Sequence, residues 1–291
     1  MKIGVFSDQG RIFIGSVFNE QVFDLSAASL QFEKEVLPDL GTILALEHFG
    51  TKLFHNLFML GQYREELWIP LNFLTFVPLY RPGKIVCLGF SYGKHAEEFS
   101  REVVREPIYF TKPGSAIIAH EQPIIYPDGL GRIDPEAELA VIIGRRAKEV
   151  AAEKAPEYIA GYTILNDVTA RDLQAKDMEN KRPWFRSKSL DTFCPIGPWI
   201  VTANEIDPDE PLKLRLSVNG EVRQDSSTKY LIFKIPALIS KLSALMTLEA
   251  GDVISTGTPE GIAPIFPGDV VEIEVEKIGV LRNRVENHKP S

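Results

Sequence analysis

The chain has 291 residues, with a hydrophobic fraction of 44% and a charged fraction of 25%. These values fit a soluble globular protein with a sizeable core, and they leave no need for covalent staples. A formal net charge of −8, from 32 basic and 40 acidic residues, argues against nucleic acid and anionic membrane as general partners.

Two cysteines, Cys87 and Cys194, are too few for a disulfide framework. A reducing, cytoplasmic compartment is expected, with both thiols buried as small hydrophobes. The N-terminal segment alternates polar and apolar residues and lacks the apolar run of a signal peptide. No stretch approaches the roughly 18 apolar residues of a membrane span.

Residues 2–6 and 11–18 read as strands joined by the Asp8-Gln9-Gly10 turn. A short strand over 21–25 follows. Residues 27–49 and 51–64 read as helices, with Leu30, Phe32, Val36, Leu40, Ile43 and Leu44 as expected core contacts. The segment FVPLYRPGK, 76–84, carries two prolines and a glycine and reads as a boundary. A small α+β domain is expected over 1–78 and a main domain over 79–291.

The main domain reads as strand-rich. Strand candidates are 84–89, 108–112, 137–143, 159–166, 199–202, 212–218, 221–225, 252–256, 270–276 and 279–285. Asn219-Gly220 between two alternating runs signals a type I′ hairpin. Residues 169–180 and 235–246 read as helices, the second with Pro236 in its first turn. This is not a regular strand–helix alternation, so a doubly wound parallel sheet is set aside. The expected class is α+β, with a mixed sheet folded into a sandwich or barrel.

Within RIDPEAELAVIIG, 132–144, Asp134, Glu136 and Glu138 lead into an apolar strand. Residues two apart on a strand share a face, so Glu136 and Glu138 should project side by side. Adjacent carboxylates raise each other's pKa unless a cation intervenes. A solvated strand start would also be acidic. Asp167 sits where an apolar strand meets a helix, and it or Thr169 could cap that helix. Taken together, Glu136, Glu138 and Asp167 could supply three hard oxygen ligands to Mg²⁺ or Mn²⁺. Zinc, which favours His and Cys, does not suit such a set.

Six segments then carry a resemblance. They are GFSYGKHAEEF (89–99), IYFTKPGSAI (108–117), PEAELAVIIG (135–144), GYTILNDVTARDLQ (161–174), SKSLDTFCPIGP (187–198) and STGTPEGI (255–262). In content and order they resemble the fumarylacetoacetate hydrolase family over roughly residues 79–285. The resemblance implies metal ligands at Glu136, Glu138 and Asp167, a mixed β-sandwich roll and a homodimer. It also implies a small 2-oxo acid substrate and chemistry through a metal-stabilised enolate.

His95 and Glu98, three apart, would share a helix face; they otherwise read as part of a solvated surface. Under the resemblance the pair activates water for attack on a carbonyl. Gly89 and Gly93 suggest that this segment closes over substrate as a lid. Lys188 is the candidate to neutralise developing negative charge. Tyr92, Lys112, Arg171, Gln174 and Thr258 are candidate substrate contacts, each with an ordinary structural use as its alternative. Trp184 and Phe185 could shape the distal pocket. Hydrolysis of a carbon–carbon bond in an acylpyruvate is the expected reaction. Isomerisation or decarboxylation of a 2-oxo diacid is the close alternative, and a non-catalytic binding protein the distant one.

Overall fold

The computed structural model describes residues 1–49, 52–93 and 106–288. The N-terminal strands are β1 (Lys2–Asp8), β2 (Arg11–Phe18) and β3 (Gln21–Asp24), followed by β4 (Trp68–Pro70) and β5 (Thr75–Phe76). Gln9 and Gly10, both at positive φ, close the first hairpin, as the Asp8-Gln9-Gly10 signal predicts. Helices α1 (Leu25–Ala28), α2 (Leu40–Ala45) and α3 (Leu53–Gly61) cover one face of these strands.

The single helix expected over 27–49 does not form. After α1 the chain makes one π-turn over Ser29–Glu33, and Lys34 then takes a left-handed φ of 61°. Pro38 cannot continue a helix, and Asp39 starts a new one by accepting from the Thr42 backbone N–H at 3.1 Å. Leu40, Ile43 and Leu44 are buried as expected. Leu30 and Val36 are 56% and 81% exposed, because the helix that would have turned them inward has ended.

The remaining strands are β6 (Ile85–Gly89), β7 (Ile108–Thr111), β8 (Ile117–Ile118), β9 (Ile124–Tyr126), β10 (Ile133–Asp134), β11 (Ala137–Ile143), β12 (Ile159–Asn166) and β13 (Thr169–Ala170). After them come β14 (Cys194–Thr202), β15 (Lys213–Val218), β16 (Glu221–Ser227), β17 (Val253–Ser255), β18 (Val270–Val275) and β19 (Gly279–Asn287). Helices α4 (Arg171–Glu179), α5 (Phe185–Lys188) and α6 (Ile235–Leu245) lie among them. Asn219 and Gly220, at φ 52° and 81°, make the β15–β16 hairpin turn that their dipeptide predicts.

Among the described residues, one mixed sheet of twelve strands has the main order β4-β3-β2-β1-β14-β12-β11-β17-β6-β7. A five-stranded sheet, β16-β15-β18-β19-β9, packs against it. The fold is thus strand-rich and mixed, as expected. β1 pairs antiparallel with β14, so the large sheet runs across residue 78.

β11 lies inside the large sheet and is buried on both faces, which explains the apolar run that follows Glu138. Leu139, Val141 and Ile143 join the core between the two sheets, whereas Ala140 and Ile142 point to the opposite side. Glu136 and Glu138 share the parity of that opposite side. Among the described residues no helix is long and apolar enough to cross a membrane.

The broken helix yields a contrast in stability. Leu44→Ala should cost about 2–5 kcal/mol, while Val36→Ala should stay within about 0.5 kcal/mol. Denaturant unfolding of the two variants measures both. A large loss for Val36→Ala would contradict the exposed course of this segment.

Candidate functional site

The acidic site is assembled by strand register. β11 and β12 pair so that Ala137 lies opposite Asn166 and Glu138 opposite Leu165. Asn166 Oδ1 accepts from the Glu136 backbone N–H at 3.0 Å, and the Asp167 N–H donates to the Glu136 carbonyl at 3.0 Å. Asp167, one step beyond the strand, therefore falls beside Glu136. The helix-capping alternative does not hold. The N-cap of α4 is Ala170, which makes no side-chain cap, and Thr169 Oγ1 donates to the Asp167 carbonyl.

Glu136, Glu138 and Asp167 are all buried, and each offers an oxygen within 4.8 Å of the others. At an effective dielectric near 20, each pair of ionised groups at that separation repels by about 3–4 kcal/mol. Burial, then Asp167 and Glu136, push the Glu138 carboxyl well above the usual carboxylate range, against the Ser255 hydrogen bond. Glu138 accepts from Ser255 Oγ at 2.5 Å and from the Gly257 N–H at 2.8 Å. Gly257 has φ 87°, and a Cβ there would meet Ser91 Oγ at 1.9 Å, so the turn needs glycine.

Buried cations answer part of this charge. Lys188 Nζ donates to Glu136 Oε2 at 2.7 Å and to Asp167 Oδ2 at 2.5 Å. Burial alone would lower its pKa, but Asp167 and Glu136 outweigh burial and hold the ammonium protonated. The Nζ also lies 4.9 Å from the Phe110 ring centroid. Arg171 bonds Asp134 Oδ2 at 2.8 Å, Gln174 Oε1 at 2.5 Å and Glu136 Oε1. Asp134, the first acid of its segment, is thus tied to Arg171 and Arg132 rather than joined to the trio.

A cleft opens on this cluster. Glu136, Glu138, Arg171, Gln174, Lys188 and Thr258 form its polar wall. Phe90, Phe110 and Trp184 form much of the apolar one, with the Trp184 ring edge-on to both phenylalanines. Phe185 is 55% exposed and turns away from this wall.

Two expected substrate contacts sit elsewhere. Lys112 does not line the cleft; its Nζ donates to Asp167 Oδ1 at 2.6 Å and to the Val168 carbonyl at 3.2 Å. It braces a ligand candidate from behind. Tyr92 is buried in the core between the sheets, bridged to Leu231, and also does not line the cleft. Burial first, then Glu138, push its phenol upward. His95, Glu98 and the expected lid lie outside the described residues.

Some contributors escaped the sequence reading. Asp177, fully buried on α4, takes Arg186 bidentately, with Nη2 at 2.5 Å, and so anchors the helix that carries Lys188. Ser255, Asn166 and Gln224 also support the site. Nothing local in the sequence marked Gln224, because a bulge in β16 decides where it points.

Residues 84–286 match the family model described as "Fumarylacetoacetate (FAA) hydrolase C-terminal". The chain belongs to the fumarylacetoacetate hydrolase family. It is 42% identical over 225 residues to the mitochondrial oxaloacetate tautomerase of Bos taurus, covering 75% of this chain and 71% of that one. A 2-hydroxyhepta-2,4-diene-1,7-dioate isomerase from Mycobacterium marinum superposes with a TM-score of 0.78 at 33% identity, covering 100% of both chains. Maleylpyruvate hydrolase from Sphingobium, solved with manganese(II) and pyruvate, gives a TM-score of 0.79 at 30% identity over 99% of this chain and 100% of that one. The protein is accordingly an enzyme of this family, whose relatives include isomerases, hydrolases and a tautomerase. The alternative of a non-catalytic binding protein is set aside on that ground.

Because Glu138 is held above its ordinary range, the folded chain binds this proton more tightly than the unfolded chain. Its contribution to stability therefore declines as pH rises from the ordinary carboxylate range toward the raised value. In metal-free protein, Glu138→Gln should raise the melting temperature at neutral pH, and the gain should shrink on acidification. Thermal melts across pH test this. A variant less stable than the parent at every pH would overturn the electrostatic reading.

Proposed function

We propose that the enzyme requires Mg²⁺ or Mn²⁺ and acts on a small 2-oxo acid through an enolate. One observation carries the proposal: Glu136, Glu138 and Asp167 converge from two strands, with Lys188 bridging two of them. The donor set is all hard oxygen, and the crowding that raises Glu138 is what a divalent cation would relieve. When bound, such a cation supplies Lewis-acid polarisation of the substrate's 2-oxo group.

The chain's own residues have distinct tasks. Lys188, kept as an ammonium, faces the oxygen on which negative charge develops. It is a poor proton acceptor for the same reason. Arg171 orients Glu136, and Gln174 presents its amide to the cleft. Phe90, Phe110 and Trp184 exclude water around the reacting carbons. To the His95–Glu98 pair, which the family resemblance implies for water activation, we also assign proton transfer at C3.

Between outcomes, we favour enol–keto interconversion of a 2-oxo diacid. Identity to the tautomerase and likeness to the isomerase favour the same outcome. Hydrolysis of an acylpyruvate is the second reading. It is supported by the sequence positions of His95 and Glu98, which suit water activation, and by likeness to maleylpyruvate hydrolase. We extend the proposal to a cytoplasmic homodimer, which light scattering on the purified protein tests.

Product analysis on enol-oxaloacetate, acetylpyruvate and fumarylpyruvate, with Mg²⁺ or Mn²⁺ and with chelator, separates the readings. Faster ketonisation without pyruvate release supports the first; pyruvate released from the acylpyruvates supports the second. Inertness toward all three would sink both.

Lys188→Met should lower kcat by about 10²–10³-fold while metal remains bound. Unchanged kcat would remove Lys188 from the mechanism. His95→Ala should abolish turnover and leave metal affinity intact, as read by calorimetry. Loss of metal binding in that variant would show that His95 has a different role.

A further inference from the structure

On β16 the ordinary alternation of a half-buried strand is inverted. Val222 is apolar and 48% exposed, whereas Gln224 is polar and 1% exposed. The cause is a bulge: Leu216 pairs with Gln224 but Ser217 pairs with Val222, so Arg223 is the extra residue. Bulges of this kind re-aim a side chain. Here the re-aimed amide leaves the five-stranded sheet and reaches the catalytic one.

Gln224 touches two parts of the site at once. Its Oε1 accepts from the Ala137 N–H, between Glu136 and Glu138, at 2.9 Å. Its Nε2 donates to the Pro259 carbonyl at 2.8 Å and to Thr258 Oγ1 at 2.9 Å. These partners fix the orientation of the amide. A flipped amide would set oxygen against the Pro259 carbonyl and nitrogen against the Ala137 N–H. The loop is pressed close at this point, since a Cβ on Gly261 would meet the Arg223 carbonyl at 2.2 Å.

The consequence concerns Thr258. Its hydroxyl oxygen already accepts from Gln224, so its hydrogen must point elsewhere. Among the described residues that hydrogen has no acceptor, and Thr258 lines the cleft beside Glu138. We infer that Gln224 is a positioning residue that sets the Thr258 hydroxyl as a hydrogen-bond donor to an anionic oxygen of the substrate. A neutral donor adds to this wall, where Lys188 and Arg171 already bond carboxylates. The inference rests on the 2-oxo acid reading and adds to it the device that aims one substrate contact.

The test uses full-length, Mn²⁺-loaded protein with oxalate and pyruvate as probes, read by calorimetry and by KM against kcat. Gln224→Met should weaken probe binding by about tenfold, the worth of one hydrogen bond to a charged group. Thr258→Val should do the same, and the double variant should lose little more. Gln224→Glu places a carboxylate where Thr258 must donate to it. Its deficit relative to wild type should close as pH falls and the introduced carboxyl regains a proton to donate. In the Thr258→Val background that recovery should vanish, whereas a role limited to bracing the Pro259 carbonyl would keep it.

Three results would overturn the inference: wild-type affinity in Gln224→Met, full additivity in the double variant, or a Gln224→Glu deficit independent of pH. If Gln224→Met does not fold, the pH profile of Gln224→Glu and Thr258→Val decides alone. Failure of the metal-loaded wild type to bind either probe would overturn the 2-oxo acid reading itself.

Discussion

Three carboxylates that repel one another are held together in the interior of this protein, and much of the surrounding structure answers that constraint. Glu136 and Glu138 are forced into proximity by the two-residue period of β11, and Asp167 by the register of β12. Neither strand can shift without moving a carboxylate to the wrong face. The charge is answered on several sides: Lys112 at one Asp167 oxygen, Lys188 bridging Asp167 and Glu136, Arg171 at Glu136, Ser255 and Gly257 at Glu138. Buried charges are tolerable only when paired, and here the pairing falls mainly on Glu136 and Asp167 while Glu138 has neutral donors.

The two sheets divide the work. The large sheet supplies the acids and the apolar bracing beneath them. The five-stranded sheet buries the other face of β11 and contributes one polar side chain, Gln224, through a bulge. The short helix Phe185–Lys188 is pinned by Asp177 and Arg186, which fixes how far Lys188 reaches. Reactive groups thus come from separate stretches of chain, yet each is backed by a strand or by a buried ion pair. Such support fixes where their side chains point.

The protonation state of Lys188 follows from the same crowding. Burial in isolation would lower its pKa, and proximity to Asp167 and Glu136 more than offsets that. A lysine so placed is suited to be a fixed positive charge and ill suited to accept a proton. The cleft is consequently rich in charge stabilisation. Its aromatic side, Phe90, Phe110 and Trp184, keeps the local dielectric low enough for that charge to matter.

Local rules made part of this legible in the linear chain. Turn chemistry located the Gln9-Gly10 and Asn219-Gly220 hairpins, because positive φ is a property of single residues. Strand period put Glu136 and Glu138 on one face, and six ordered segments identified the family. Only the tertiary structure decided what depends on distant partners. It showed that the helix after α1 breaks and leaves Val36 in solvent. It turned Lys112 toward Asp167 and Tyr92 into the core, where sequence spacing is silent about direction. It also brought Gln224, 87 residues away, against Ala137. Such contacts arise from sheet packing and a bulge, which no local pattern encodes, so the reach of a side chain across the fold had to be seen in three dimensions.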